Sequence, residues 1–280
     1  MSDTARPTLS TFPLEPLTRV DANSVARTIP PSTLRINTWT SYRCLLRWTL
    51  GQIGAMLPLI VVVQALLAAG IIVGFGFLIP DIDPSTAAFL SSGAPTVLLM
   101  VMGLVIVPQG VAQARANGTF TYLRALPVPR PLLLLADLTV WLAIALPSIA
   151  VAVLVAQLRY PITFSFDWPL LVGASVLIAV VATSVGYAIA VSLPPMLAQL
   201  ASQVLVFFVM LFSPVTFPAA QLPVWFQHLH DLLPIRPAAD LLRAGLLSST
   251  YEASLTDLLV LLAWCALGLT ISVRALVRRG

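Results

Sequence analysis

The sequence predicts an all-α integral membrane protein with six transmembrane helices, and three observations lead there. Hydrophobic residues make up 59% of the 280 and charged residues only 9%, whereas soluble chains carry about a quarter charged residues. Mean hydropathy is +0.96. The apolar residues form long continuous runs, not the alternation of a transmembrane barrel. A hydrocarbon core of ~30 Å takes roughly 20 residues of helix. Runs at 57–79, 90–112, 132–158, 168–193, 196–212 and 255–273 have about that length or more.

Before the first span, residues 1–32 carry Pro7, Pro13, Pro16, Pro30 and Pro31 among Ser and Thr and have no apolar h-region. They are expected to be a disordered cytoplasmic tail and not a secretory signal, with the six-span domain over 33–280. Residues 34–50 suit an interfacial amphipathic helix. Trp39, Tyr42, Leu45, Leu46 and Leu50 share one face, and Asn37, Thr40, Ser41, Cys44 and Arg47 take the other. A plain flank anchoring the first span reads equally well.

The first span holds Gly70 and Gly74 at small-xxx-small spacing, and the fifth holds Ala198, Ala201 and Ser202. Both are candidate faces for packing against a second subunit. Residues 80–89 are expected as a short outer loop, acidic through Asp81 and Asp83, and the stretch from Arg159 to Asp167 as a second short outer loop. The long segment 213–254 is too apolar for a free loop. Pro223 and Pro237 each precede a short amphipathic stretch, 224–233 and 238–247, expected as re-entrant helices in the outer leaflet.

Between spans two and three, residues 113–131 read QARANGTFTYLRALPVPRP. The pattern predicts a helix continuing span two, a turn at Asn117-Gly118, a short helix over 119–126 and a stop at Pro127 and Pro129. An ordinary basic loop and a rigid knob gripped by a partner fit the periodicity about equally.

All fifteen basic residues are arginine. Arg6, Arg19, Arg27, Arg35, Arg43 and Arg47 precede the first span; Arg115, Arg124 and Arg130 follow the second; Arg274, Arg278 and Arg279 follow the sixth. Cytoplasmic termini put all of these inside and leave only Arg159, Arg236 and Arg243 outside, the orientation that positive-inside bias prefers. The isoelectric point near 9.6 therefore reads as topology and acidic lipid contact, not nucleic-acid binding. The arginine-only, alanine-rich composition suits a bacterial inner membrane. Without lysine no Walker A loop is available to hold ATP. No nucleophile–base pairing or Gly-x-Ser-x-Gly elbow points to hydrolysis, so the chain is not expected to be an enzyme. Cys44 and Cys265 have neither each other nor metal-ligand company.

Polar residues within the spans mark either a substrate path or hydrogen bonds between helices; Gln64, Gln109, Gln199 and Gln203 are the candidates for the path. Asp137 lies about 8 Å into span three, within reach of Arg130 or Arg124 for neutralisation. His228, His230 and Asp231 suggest a metal, but histidines two apart on a helix face different ways. A surface pair is the expectation.

The 113–131 segment resembles the cytoplasmic loop of type 2 permeases of ATP-binding-cassette exporters through Arg115, Gly118, Thr119, Phe120, Leu126, Pro127, Val128 and Arg130. A second block resembles that family's segment after span five: Ser213-Pro214, Phe217-Pro218, Leu222-Pro223, Trp225, Leu233-Pro234, Asp240 and Arg243. The likeness runs over roughly residues 34 to 280. Ala116, Asn117 and Thr121 stand where the family usually has acidic residues, and Asp137 where a basic one is common. The resemblance implies a permease whose coupling helix, with Arg115, Gly118, Thr119, Leu123, Arg124, Leu126, Pro127 and Arg130, seats on a separate ATPase subunit that holds ATP and Mg. It also implies a second permease subunit and no cofactor on this chain. Apolar spans favour a hydrophobic or amphipathic cargo such as a drug, lipid or lipid-linked glycan. The rival is an ion-coupled carrier or a scaffold that does not transport. Carriers usually have several intramembrane ionisable residues, and here only Asp137 and Asp257 come near that description.

Overall fold

A computed structural model describes residues 37–78, 82–125, 128–212, 214–215 and 222–278. The expected tail at 1–32 lies outside them, as do Leu126, Pro127, Ser213, Phe217 and Pro218 of the two motifs. The described chain is helical, with a lone bridge between Ser165 and Leu247 as its one piece of β pairing.

Helix α1 (Thr38–Gly54) buries Leu45 and leaves Trp39 and Trp48 exposed. A turn at Ala55-Met56 leads into α2 (Leu57–Leu78), which is apolar all round. The acidic outer loop expected at 80–89 is shorter than that, because α3 (Pro84–Val101) starts within it. Asp83 caps α3: its carboxylate accepts the Ser85 and Thr86 backbone N–H groups at 3.1 and 3.2 Å, and Pro84 suits the first helical position. Hydrogen bonds from the Ser85 and Thr86 hydroxyls and the Thr86 N–H hold that carboxyl well below the usual carboxylate range.

From α3 the chain continues without a break through a π-helix (Met102–Ile106) into α4 (Val107–Ala116). The second span thus exceeds the expected 90–112 at both ends. Pro108 explains the π turn. It has no N–H to offer the ladder, and the Val107 N–H bonds the Met102 carbonyl five residues back. The widened turn packs against α8 (Trp168–Ser192) at two glycines. A Cβ on Gly186 would lie 1.9 Å from the Gly103 carbonyl oxygen, and one on Gly103 would lie 2.3 Å from Ala182 Cβ.

Helix α5 (Thr119–Ala125) precedes α6 (Arg130–Ala145) and α7 (Pro147–Arg159), which together occupy the expected third span with an interruption at Pro147. Asp167 caps α8 by accepting the Leu170 N–H at 3.2 Å. Buried hydroxyls on α8 turn back onto their own helix: Ser175 donates to Leu171 at 2.5 Å and Thr183 to Ala179 at 2.6 Å. After α8 come α9 (Pro195–Phe212), α10 (Val224–Leu232), α11 (Ile235–Leu246) and α12 (Leu255–Arg278).

Five described helical segments are long and apolar enough to cross a bilayer: Leu57–Gly74, Pro84–Ala116, Pro131–Arg159, Trp168–Ser192 and Leu255–Ala275. The expected fifth span is a shorter apolar helix, α9. The α3–π–α4 rod and α8 form the buried centre, with α2, α7, α9, α11 and α12 packed around them. Helix α11 starts three residues ahead of the stretch expected at 238–247. It is buried against α8 and α3, its Ala238, Ala239, Leu241 and Leu242 facing protein. Helix α10 instead exposes Val224, Trp225, Leu229 and Leu232.

The Gly103–Gly186 contact generates a stability prediction. Gly186→Val is expected to destabilise the purified protein by about 3 kcal/mol or more, because neither backbone can yield. Gly173→Ala, where an added Cβ meets nothing within 4 Å, should change the apparent Tm by little or raise it slightly. Thermal denaturation followed by size-exclusion chromatography measures both.

Candidate functional site

At the end of the molecule that carries Gly118, α4 stops because Gly118 takes φ +78, a left-handed conformation that suits glycine. Helix α5 then stands between two spans, as the turn–helix–stop pattern predicts, with Thr119 at its start and Arg124 within it. Its outward Tyr122 is exposed. Leu123 faces inward against the cluster of Leu45 from α1 and Leu132, Leu133 and Ala136 from α6. The Trp48 and Tyr122 rings lie 6.5 Å apart. The short helix is therefore seated on α1 and α6 together.

Arg115, which the resemblance places on the coupling surface, reaches back into the chain. Its Nη1 donates to the Leu193 carbonyl at 2.6 Å and also to that of Ala190. Those are open carbonyls at the C-terminal end of α8, where a cation also meets the negative end of the helix dipole. Arg130 opens α6.

Above α5 lies a cavity of about 520 Å³ between α1, α2, the π-helix, α4 and α6. Thr119 and Leu123 of α5 are part of its lining. Of the polar residues singled out in the spans, the fold brings Gln64, Gln109 and Asp137 together around this space, and adds Thr49, Gln113 and Asn117. Gln199 and Gln203 are on α9 and do not line it; Gln203 is exposed. Asp137 accepts a hydrogen bond from Thr49 Oγ1 at 3.3 Å, so among the described residues its partner comes from α1. The Tyr42 hydroxyl donates to Thr139 Oγ1 at 2.8 Å, a second tie between α1 and α6.

The small-residue faces separate in the same way. Gly70 and Gly74 are open, with nothing among the described residues within 4 Å of an added Cβ. Ala198 and Ser202 are fully buried, and Ser202 donates to the Ala198 carbonyl at 2.8 Å. That pair packs inside the subunit and is not available to a second one.

The opposite end is organised by Arg243 of α11, only 1% exposed. Its Nη1 donates to Asp240 Oδ1 at 2.7 Å, its Nη2 to the Val215 carbonyl at 3.1 Å and its Nε to Ser92 Oγ on α3 at 3.2 Å. The guanidinium carbon lies 3.7 Å from the Phe89 ring centroid. Burial disfavours both charges, pushing the Asp240 carboxyl up and the Arg243 guanidinium down, and their mutual attraction opposes both shifts. Arg236 adds contacts to Asp231 and, at 3.6 Å, to Asp240.

The histidine pair needs a correction. His228 is exposed, with Nδ1 3.7 Å from the Asp231 carboxylate, but His230 is fully buried. Its ring stacks on Phe208 at 6.1 Å and meets Phe226 edge-on at 4.7 Å. Burial holds its pKa below the ordinary imidazole value. The two-residue offset that argues against a shared metal also sends one ring outward and the other into the aromatic cluster.

Residues 44–247 match the family model described as ABC-2 type transporter. No curated protein matches the chain.

The Arg243 network predicts unequal costs at its two charged positions. Arg243→Ala is expected to lose about 3–5 kcal/mol, since it removes at once the bonds this side chain makes to Ser92 on α3 and to Val215. Asp240→Asn should lose about 1 kcal/mol, because that carboxylate is 38% exposed. Apparent Tm values of the two purified variants test this. Equal losses would show that the ion pair, and not the backbone and hydroxyl bonds, carries the network.

Proposed function

The chain belongs to the ABC-2 type transporter family, and from that premise we propose that it is the permease of an ATP-driven exporter for hydrophobic or amphipathic molecules. Membership makes it a multi-pass membrane component of an ABC transporter that associates with an ATP-binding subunit. The finer reading is that two such permeases pair across a central path, with α5 of each docked on a separate ATPase. ATP and Mg sit on that partner. The Gly118 end and both termini face the cytoplasm, as the arginine distribution favours, and a bacterial inner membrane is the setting.

One observation carries this reading: a short helix placed outside the spans is tied through Leu123 to both α1 and α6. Closure of the ATPase subunits would push on α5, and the packed leucines would pass the displacement to the helices that border the cavity. The exposed Tyr122 supplies part of the docking surface. The open Gly70 and Gly74 face of α2 is the available surface for the second permease. Predominantly apolar spans and a largely apolar cavity support the choice of cargo.

Replacing Leu123 and Arg124 together should abolish substrate-stimulated ATPase activity of the reconstituted complex while leaving membrane insertion intact. Unchanged stimulation would remove the coupling role from α5. Movement of substrate by the purified chain alone along a proton gradient would replace the exporter reading with an ion-coupled carrier.

A further inference from the structure

We propose that the cavity between α1, α2, α4 and α6 binds a cationic amphiphile, with its positive group at Asp137 and its apolar body against α2 and the π-helix. This deepens the exporter reading by giving the cargo a charge, and it rests on that reading only for what the binding accomplishes.

The cavity's size comes first. At about 520 Å³ it falls within the range that encloses most of a drug-sized ligand. Its walls are mainly apolar, with Met56 of the preceding turn and Leu59, Ile60 and Val63 of α2 lining it together with Met102 and Ile106 of the π-helix. Met56 and Leu59 are also exposed at the molecular surface. The cavity therefore opens sideways, where acyl chains would lie, and an amphiphile can reach it from the bilayer.

The polar groups then define the ligand. Gln64 is 3% exposed, lines the cavity, and its Nε2 has no hydrogen-bond partner among the described residues. A buried donor left in that state is costly, and a ligand oxygen placed there removes the cost. Asp137 supplies the carboxylate, and Trp48 and Trp141 both line the same space. A carboxylate in a cavity that two indoles also line suits a protonated amine or quaternary ammonium. Among the described lining residues none is basic, so a phosphate or sulfate head would find repulsion and no counter-charge. Gln64, Gln109 and Asp137 each lie about two helical turns from the Gly118 end of their own helices, at the depth where a charged head meets the top of its tail.

The test uses the full chain in phosphatidylcholine nanodiscs, titrated with (3-bromopropyl)dodecyldimethylammonium, whose bromine lies beside the charged head and quenches nearby indoles. Saturable quenching is expected, and the double variant Trp48→Phe, Trp141→Phe should lose it. Asp137→Asn should weaken binding about tenfold or more, the scale of one charge-assisted interaction. Gln64→Leu should weaken it about threefold, and because it deletes an unsatisfied amide it should not impair folding. The sulfate-headed analogue should show no saturable phase. Equal affinity for the neutral 2-bromododecan-1-ol, or wild-type affinity in folded Asp137→Asn, overturns the proposal. The assay contains no ATPase subunit, so failed binding leaves the permease reading standing. Intact binding without ATPase stimulation in the complex would overturn that reading and leave the site.

Discussion

Helix ends set the terms of this fold. In a bilayer, open carbonyls and N–H groups at helix ends find no water and must be met from within the protein. Side chains from distant helices meet them here. Arg115 of α4 bonds the last carbonyls of α8. The Trp264 indole of α12 bonds the Leu232 carbonyl that ends α10, at 2.8 Å. Arg243 reaches the Val215 carbonyl after α9. Each bond closes a local deficit and also fixes two parts of the chain to one another. The arginines that bias topology by charge are in these two places spent on backbone.

The consequence is an uneven molecule. On one side the α3–π–α4 rod and α8 meet through Gly103 and Gly186 at backbone distance, and α11 is locked to α3 through Arg243 and Ser92. Bulky side chains cannot enter such a contact, so it has one geometry. On the other side α2 is largely exposed and α1 buries little beyond Leu45. The cavity forms along the boundary between the two. A well-packed rod supplies one wall and a sparsely packed helix the other, and few buried contacts mean a low cost of local displacement.

Most of the fold was legible in the sequence because continuous apolar length is a direct signal of a span, and because Gly118 between helical runs marks a turn. The errors share a cause. Asp83, Ser85 and Thr86 look like loop by polarity, yet they are the cap that starts α3 inside the predicted loop. His230 reads as exposed because titratable residues in an outer segment usually are, and its burial, like that of Arg243, depends on partners such as Phe208 and Ser92 far away in sequence. The glutamines show the limit most plainly. Gln64, Gln109, Gln199 and Gln203 are the same residue type in similar apolar helices, and only tertiary packing decides that the first two share a cavity and the last two do not. The π turn could be suspected from Pro108 but not placed, since a proline in a helix can also end or kink it.

Helix α5 gains its meaning from this unevenness. It is too short to be stable alone and is held by Leu123 against leucines of α1 and α6. Thr119 and Leu123 also form part of the cavity lining, so the same residues serve as attachment and as floor. A push on α5 meets two kinds of resistance. Along α4 it meets the continuous rod fixed at Gly103 and at Arg115, which moves as a body or not at all. Along α1 it meets a helix held to α6 by Leu45, the Tyr42–Thr139 bond and the Thr49–Asp137 bond. Displacement follows the weaker path, and on that path the Thr49–Asp137 bond at 3.3 Å is both a strut between α1 and α6 and one wall of the cavity. A load applied at α5 would therefore bear on the carboxylate that lines the cavity, without passing through the rigid centre.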